Sequence, residues 1–144
     1  MPEMLLTQRG VVYPWQCDHM GHLNVMNYVG KFDEATWQMF AAIGLTHSYL
    51  HQHSFGIAAT HQELTYRREL LPGDLITIRS AILEIRLLRI RFYHEMLNDE
   101  SAEVAAATVI TGVLLDIETR KPARVPAEVL RRGRELVMEV AILV

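Results

Sequence analysis

Tyr28, Phe32, Ala35, Met39 and Ile43 recur at spacings of four, three, four and four, which is one face of an α-helix. Val29, Trp37, Phe40 and Ala41 carry the apolar surface well past that single stripe, so this helix has to be covered on most of its sides. Asn24 offers a side-chain oxygen for the N-cap, and Gly44 is a natural C-terminal stop. A helix of this kind cannot stand against solvent. The rest of the chain must supply its wrapping.

Beyond Gly56 the pattern changes to period two. Leu88, Ile90, Phe92, His94 and Met96 alternate with Arg89, Arg91, Tyr93 and Glu95, the pattern of a half-buried strand. Ile76, Ile78, Ser80 and Ile82 alternate in the same way after the turn residues Leu71-Pro72-Gly73-Asp74. Val104 to Ile117 is apolar on both faces apart from its threonines and reads as a central strand, introduced by the turn Asn98-Asp99-Glu100-Ser101. The join from Glu84 to Leu87 contains neither Gly nor Pro. Ahead of the helix, Arg9 to Trp15 reads as a first short strand through Val11, Val12, Tyr13 and Trp15. Thr46 to Phe55, with His47, His51 and His53, shows no period and reads as a connecting loop. Pro126 opens a C-terminal helix in the favoured first position, with Val129, Leu136, Val137 and Val140 as its stripe.

The resulting order is strand, one long buried helix, then four strands with hairpin-like links. This is an α+β arrangement in which a five-stranded antiparallel sheet covers a helix. One helix covers one face of a sheet, so open edges and outer apolar positions call for a partner subunit. The 144 residues are enough for a single domain spanning 1–144, and no linker or repeat divides them. A net charge of −3 supplies no basic field, so composition offers no nucleic-acid footprint. No signal-peptide pattern and no apolar run of membrane-spanning length occurs. Cys17 is the single cysteine and has no internal partner, so the expected compartment is the reducing cytoplasm, with no membrane attachment.

The chemistry is concentrated just before the helix, in Trp15-Gln16-Cys17-Asp18-His19-Met20-Gly21-His22-Leu23-Asn24. A helix start carries unpaired N–H groups and partial positive charge. A carboxylate facing it can attack or activate water while those amides hold a developing oxyanion, a combination suited to acyl transfer. Asp18 is the candidate nucleophile or base; its other reading is a turn or helix cap. His22 and Asn24 are candidates for orienting water or a carbonyl, with local turn bonding and plain N-capping as the alternatives. Tyr28 reads as core, Glu34 as a solvated or paired carboxylate, and Cys17 as packing. Asp18, His19 and His22 have metal-binding chemistry, but no fourth ligand has matched spacing and no metal is expected. Arg86, Arg89 and Arg91, with Arg67 and Arg68 as a second group, are guanidinium candidates for phosphate contact or simply a solvated face.

The run Asp18-His19-Met20-Gly21-His22-Leu23-Asn24, with Tyr28 and Glu34 after it, resembles the hotdog-fold acyl-CoA thioesterases, and more narrowly the 4-hydroxybenzoyl-CoA thioesterase-like group. The similarity continues through Leu64-Thr65-Tyr66-Arg67-Arg68-Glu69, Leu71-Pro72-Gly73-Asp74 and His94, covering nearly the whole chain. It implies a hotdog fold, a sheet wrapped around a long central helix, and a homodimer or homotetramer with active sites at the subunit interface. It implies acyl-CoA as substrate, so that CoA is part of the substrate and no cofactor is needed. By position, Asp18 matches the family's catalytic carboxylate and Val25 an oxyanion-hole N–H donor, while the arginines named above are expected to hold CoA. Gln16 stands where many relatives carry an acidic or threonine residue, and Val25 where the hydroxybenzoyl-specific enzymes carry an aromatic one; these departures speak against an aromatic substrate and leave hydrolysis intact. The rival activities are hydration or dehydration of an acyl thioester, and acyl-thioester binding without catalysis.

Overall fold

The helix that must be wrapped is α1, Val25–Ala42, about 27 Å long at the helical rise. Residues 2–144 are described in the computed structural model. The Asn24 side chain accepts the Met26 N–H and caps the start of α1, as its sequence suggests. Tyr28, Phe32, Ala35 and Met39 are buried along one face. Ahead of α1 come β1 (Leu5–Val11) and a 3-10 turn (Pro14–Gln16); after it come α2 (His47–His53), β2 (Phe55–Tyr66), β3 (Leu75–Ile85), β4 (Ile90–Asn98), β5 (Val104–Asp116) and α3 (Ala127–Leu136).

The five strands form one antiparallel sheet in the order β1-β3-β4-β5-β2. Alternation places Ile76, Ile78, Met96, Ala106 and Val12 under the N-terminal half of α1, and Ile82, Phe92, Ile110 and Leu114 under its C-terminal half. The opposite face of the sheet carries Tyr93, Ala107 and Val109, against which Met4 and the C-terminal residues Val140 and Leu143 pack. The fold class expected from the sequence is the one observed.

Five details differ from the expectation. First, β1 runs from Leu5 to Val11 instead of Arg9 to Trp15, because Pro14 cannot donate to a ladder and starts a 3-10 turn. Second, the supposed loop from Thr46 to Phe55 contains α2, capped by the Thr46 side chain on Tyr49 N–H and closed by Ser54 in the left-handed region. Third, the strands after α1 are not all joined by hairpins. β2 pairs with β5, with Tyr66 opposite Ala106, so the segment between β2 and β3 crosses to the other side of the sheet. Fourth, Leu88 lies in the exposed β3–β4 turn, held by Arg86 N–H on the Arg89 carbonyl, and β4 begins at Ile90. Fifth, Pro126 is the N-cap of α3, which ends at Leu136, so Val140 lies beyond the helix on the outer face of the sheet. β5 lies between β4 and β2, and both its faces are covered, Ile110 and Leu114 by α1 and Ala107 and Val109 by the C-terminal residues, as its two-sided apolar pattern requires. Among the described residues no helix is long and apolar enough to cross a membrane.

Candidate active site

Between Cys17 and Leu23, which form an isolated bridge, the chain doubles back in a tight turn. The Asp18 N–H donates to the His22 carbonyl at 3.1 Å and the Gly21 N–H to the Asp18 carbonyl at 2.9 Å. Gly21 has φ +80°, which explains a residue without a Cβ at this point. Leu23 then enters the core, its N–H on the Leu70 carbonyl, and delivers Asn24 to the start of α1.

Asn24 joins the cap to the carboxylate. Its Oδ1 accepts from Met26 N–H at 2.9 Å, and its Nδ2 donates to Asp18 Oδ2 at 3.0 Å. The other carboxylate oxygen accepts from Met20 N–H at 2.9 Å. Those two bonds, the Asn24 bond first, hold the Asp18 carboxyl below its usual 3.8, with smaller help from His22 and His19. Asp18 is therefore ionised at neutral pH, and its side chain keeps 23% of its surface open. The capping alternative for Asp18 is true only in part: it accepts from a turn amide, while the helix cap itself belongs to Asn24. At the start of α1 the amides of Met26 and Asn27 are both used, whereas Val25 N–H makes no hydrogen bond among the described residues.

His22 stands between two carboxylates, Nε2 3.7 Å from Asp18 Oδ1 and Nδ1 3.6 Å from Glu69 Oε1. The cleft containing Asp18, His22 and Val25 is walled by Tyr28, Tyr66, Arg67, Arg68 and Glu69. Tyr28 is core, as its spacing predicts, and also wall: it stacks edge-on against Tyr66, and burial pushes its phenol up to about 12. Glu69 and Tyr66 do not stand out as site residues in the sequence, because their approach depends on the segment after β2 folding back against the Asp18 turn.

The predicted arginines divide. Arg67 lines the cleft and has no carboxylate within ion-pair distance among the described residues, while Arg68 pairs with Glu103 at 3.1 Å. Arg86 and Arg89 both bind Glu84, at 3.2 and 2.8 Å, and Arg91 lies across from Glu84 on β4. These three sit at the far end of β3 from Asp74, roughly 30 Å from the Asp18 turn at the strand rise. The single chain does not bring them to this cleft. The reason is topological: β3 leaves the site end and β4 returns to it, so their connecting turn is at the other pole. Glu34 bonds to Gln8, and Cys17 packs beside Leu23 and Tyr28. Among the described residues no three His, Cys, Asp or Glu side chains are placed to hold a metal ion.

Known proteins share this frame. The family model of the thioesterase-like superfamily matches residues 12–133, which include β2 to β5 and α1 with its capping turn. The chain belongs to the thioesterase-like superfamily. It is 23% identical over 127 residues to the long-chain acyl-CoA thioesterase FadM of Escherichia coli, covering 85% of this chain and 92% of that protein. Among solved structures, a Staphylococcus aureus protein in complex with CoA superposes with TM-score 0.88 at 18% identity, over 98% of this chain and 90% of that one. A 1,4-dihydroxy-2-naphthoyl-CoA thioesterase from Synechocystis superposes with TM-score 0.79 at 19% identity, over 91% and 96% of the two chains. These superpositions agree on the hotdog architecture.

Proposed function

We propose that this member of the superfamily hydrolyses an acyl-CoA thioester to the free acid and CoA, in a site built on Asp18 and the start of α1. The observation that carries this reading is the double use of Asn24. One side chain caps the helix and fixes the Asp18 carboxylate, next to the one first-turn amide left without a partner among the described residues, that of Val25. As general base, Asp18 takes a proton from water, whose oxygen bonds to the thioester carbon while the carbonyl oxygen takes negative charge against Val25 N–H. The tetrahedral intermediate collapses, the C–S bond breaks, and the sulfur leaves with its electron pair as a thiolate. As nucleophile, Asp18 would instead form an anhydride that water then opens. Both routes use the same ionised carboxylate. His22, between Asp18 and Glu69, is suited to hold the water or accept its proton.

Arg67, free of a carboxylate partner among the described residues, suits a CoA phosphate. Arg86, Arg89 and Arg91 could meet CoA only if a second chain brings their pole of the sheet to this cleft. A homodimer is supported by the open edge of β2 and by the exposed apolar residues Val25, Met26, Val29 and Trp37 on α1. The chemistry as drawn needs no cofactor, and a cytoplasmic setting fits a CoA substrate. FadM is named for long-chain substrates, and this chain's non-aromatic Val25 points the same way, to an aliphatic acyl group.

The test is thiol release from a panel of short, long, branched, aromatic and charged acyl-CoAs. Asp18→Asn is expected to lower kcat by at least ~100-fold without a large change in melting temperature, since the side chains are nearly isosteric. A change under about threefold would remove Asp18 from its central role. Hydratase absorbance without thiol release would assign the rival reaction. Tight acyl-CoA binding without either signal would make the chain a binding module.

A further inference from the structure

Trp37 stands where two cavities on the exposed side of α1 meet. The first is a narrow space of about 100 Å³ between α1 and β2, floored by Phe40, Phe92 and Ile110. The second is larger, about 540 Å³, and is lined by Ala41, Leu45, Leu50, Phe55 and Ile117. Trp37 and Ile57 line both, one from the helix and one from the strand, so together they form the wall between them. The indole is fixed there by two contacts: its N–H donates to Asp33 Oδ2 at 3.3 Å, and its ring meets Phe40 edge-on with centroids 6.5 Å apart.

The narrow cavity lies one helical turn along α1 from the cleft at Asp18. Val25 belongs to that cleft and Val29, one helical turn later, to the narrow cavity; both are exposed on α1. On β2 the line from Tyr66 through Gln62 to Ala59 and Ile57 accompanies them. From Val25 to Trp37 is twelve residues, roughly 18 Å of helix. An extended zigzag hydrocarbon advances about 1.3 Å per carbon along its axis and covers that distance with roughly fourteen carbons.

We propose that Trp37 sets the length of acyl chain accepted, the chain running from the Val25 amide along α1 until it meets the indole, with the cavity beyond kept out of use. This rests on the thioesterase reading above. The occupant is an aliphatic chain because the floor and both walls are aromatic and aliphatic carbon, with polar groups (Asp33, Thr36, Gln62) only at intervals along it. Replacing the indole by a methyl joins the two cavities and extends the groove.

The experiment compares kcat/KM across even-numbered saturated acyl-CoAs from butanoyl to octadecanoyl for the wild-type protein, Trp37→Ala, Ala41→Trp and the double variant. In the wild type, kcat/KM is expected to rise up to about tetradecanoyl and then fall. Trp37→Ala should raise the octadecanoyl-to-tetradecanoyl ratio by at least ~10-fold, since each buried methylene is worth a sizeable factor in specificity. Ala41→Trp alone should leave the wild-type profile in place, because the cavity it fills is not used. In the double variant it should cancel most of the gain, which a merely loosened fold would not do. Trp37→Leu serves in place of the alanine variant if that protein does not fold. The same series is titrated by calorimetry against Asp18→Asn protein with and without Trp37→Ala, so a protein that hydrolyses nothing still reports on the wall. An unchanged chain-length profile in the Trp37 variants, by both readouts, overturns the proposal and leaves the hydrolase reading standing. Absence of thiol release with a shifted binding profile does the reverse.

Discussion

Asn24 is the residue on which most of the site turns. Its amide nitrogen is the largest cause of the lowered Asp18 pKa, and its oxygen satisfies Met26 N–H. These two tasks can be separated. Asn24→Ala removes both and should cost about 1 kcal/mol in stability, the usual loss of an N-cap, read by urea unfolding. Asn24→Asp keeps the cap but sets a second carboxylate against the first, so Asp18 titrates higher and stability at neutral pH falls by repulsion, recovering as the pair takes up a proton. In the wild type, Asp18 stays ionised to below 3.8, and kcat/KM should show no carboxylate limb between pH ~7 and ~5. In Asn24→Asp a limb should rise into that window. Its absence there, with activity retained, would mean that the charge on Asp18 is not what the reaction uses. The linkage sign agrees: a carboxyl with a depressed folded pKa contributes stability above its unfolded pKa and loses it only as pH falls through the folded value. Asp18 therefore does not make the fold sensitive near neutrality.

The element scale shows where a sequence is legible and where it is not. The stripe of α1 repeats through Tyr28, Phe32, Ala35 and Met39, and alternation in β3, β4 and β5 is clear because one face or both are buried. The seven residues of α2 offer no such stripe; only Leu50 is buried, and histidines dominate the rest. Nor does period two say which strand pairs with which, so the neighbourhood of β2 and β5, and with it the exile of Arg86 and Arg89, could not be read. Asp18, Asn24 and Val25 were legible since they are adjacent in the chain, whereas Glu69 reaches the site only through the fold. One buried polar line was equally hidden: Thr7, Ser80, His94 and Thr36 join β1, β3, β4 and α1. Thr36 spends its hydroxyl proton on the Phe32 carbonyl at 3.0 Å, so its oxygen accepts from His94 Nε2–H at 2.8 Å, and Nδ1 accepts from Ser80. His94 is thus neutral, and burial pushes it down to about 3. An unfolded histidine titrates near 6.5, so between these values the unfolded state binds the extra proton and stability falls as pH falls. His94→Gln should lower stability at pH 7 by about 1–3 kcal/mol through an imperfectly paired neighbour, and should flatten the decline from pH ~6.5 to ~4. A parallel decline in variant and wild type, followed by urea midpoints, would assign the acid sensitivity to other groups.

For the whole molecule, the two faces and two edges of the sheet have unequal protection. The inner face has α1, and the outer face has Val140 and Leu143 over Tyr93 and Val109. β1 is a seven-residue edge, whereas β2 is a twelve-residue edge whose middle, Ala59 to Glu63, is exposed. In the proposed dimer the second copy would sit on this long open edge beside the exposed apolar helix face, and Tyr66 and Val25 line the Asp18 cleft from that same strand and helix. Thr60 allows a direct test. The ladder with β5 passes from Ala59 to His61 without it, so a proline there leaves the backbone register in place, removes only the Thr60 hydroxyl bond to the Thr111 carbonyl, and blocks and bends the outer edge. Wild-type protein should sediment at twice the 16.5 kDa chain mass and Thr60→Pro at that mass, with circular dichroism preserved. Thiol release should fall with the dimer if the partner completes the cleft, and recover at protein concentrations that restore it. A Thr60→Pro protein that remains dimeric would move the interface away from β2. It would also leave the exposed Val29 and Trp37 to be covered by bound acyl chain alone, a difference visible as protection of α1 amides only when acyl-CoA is present.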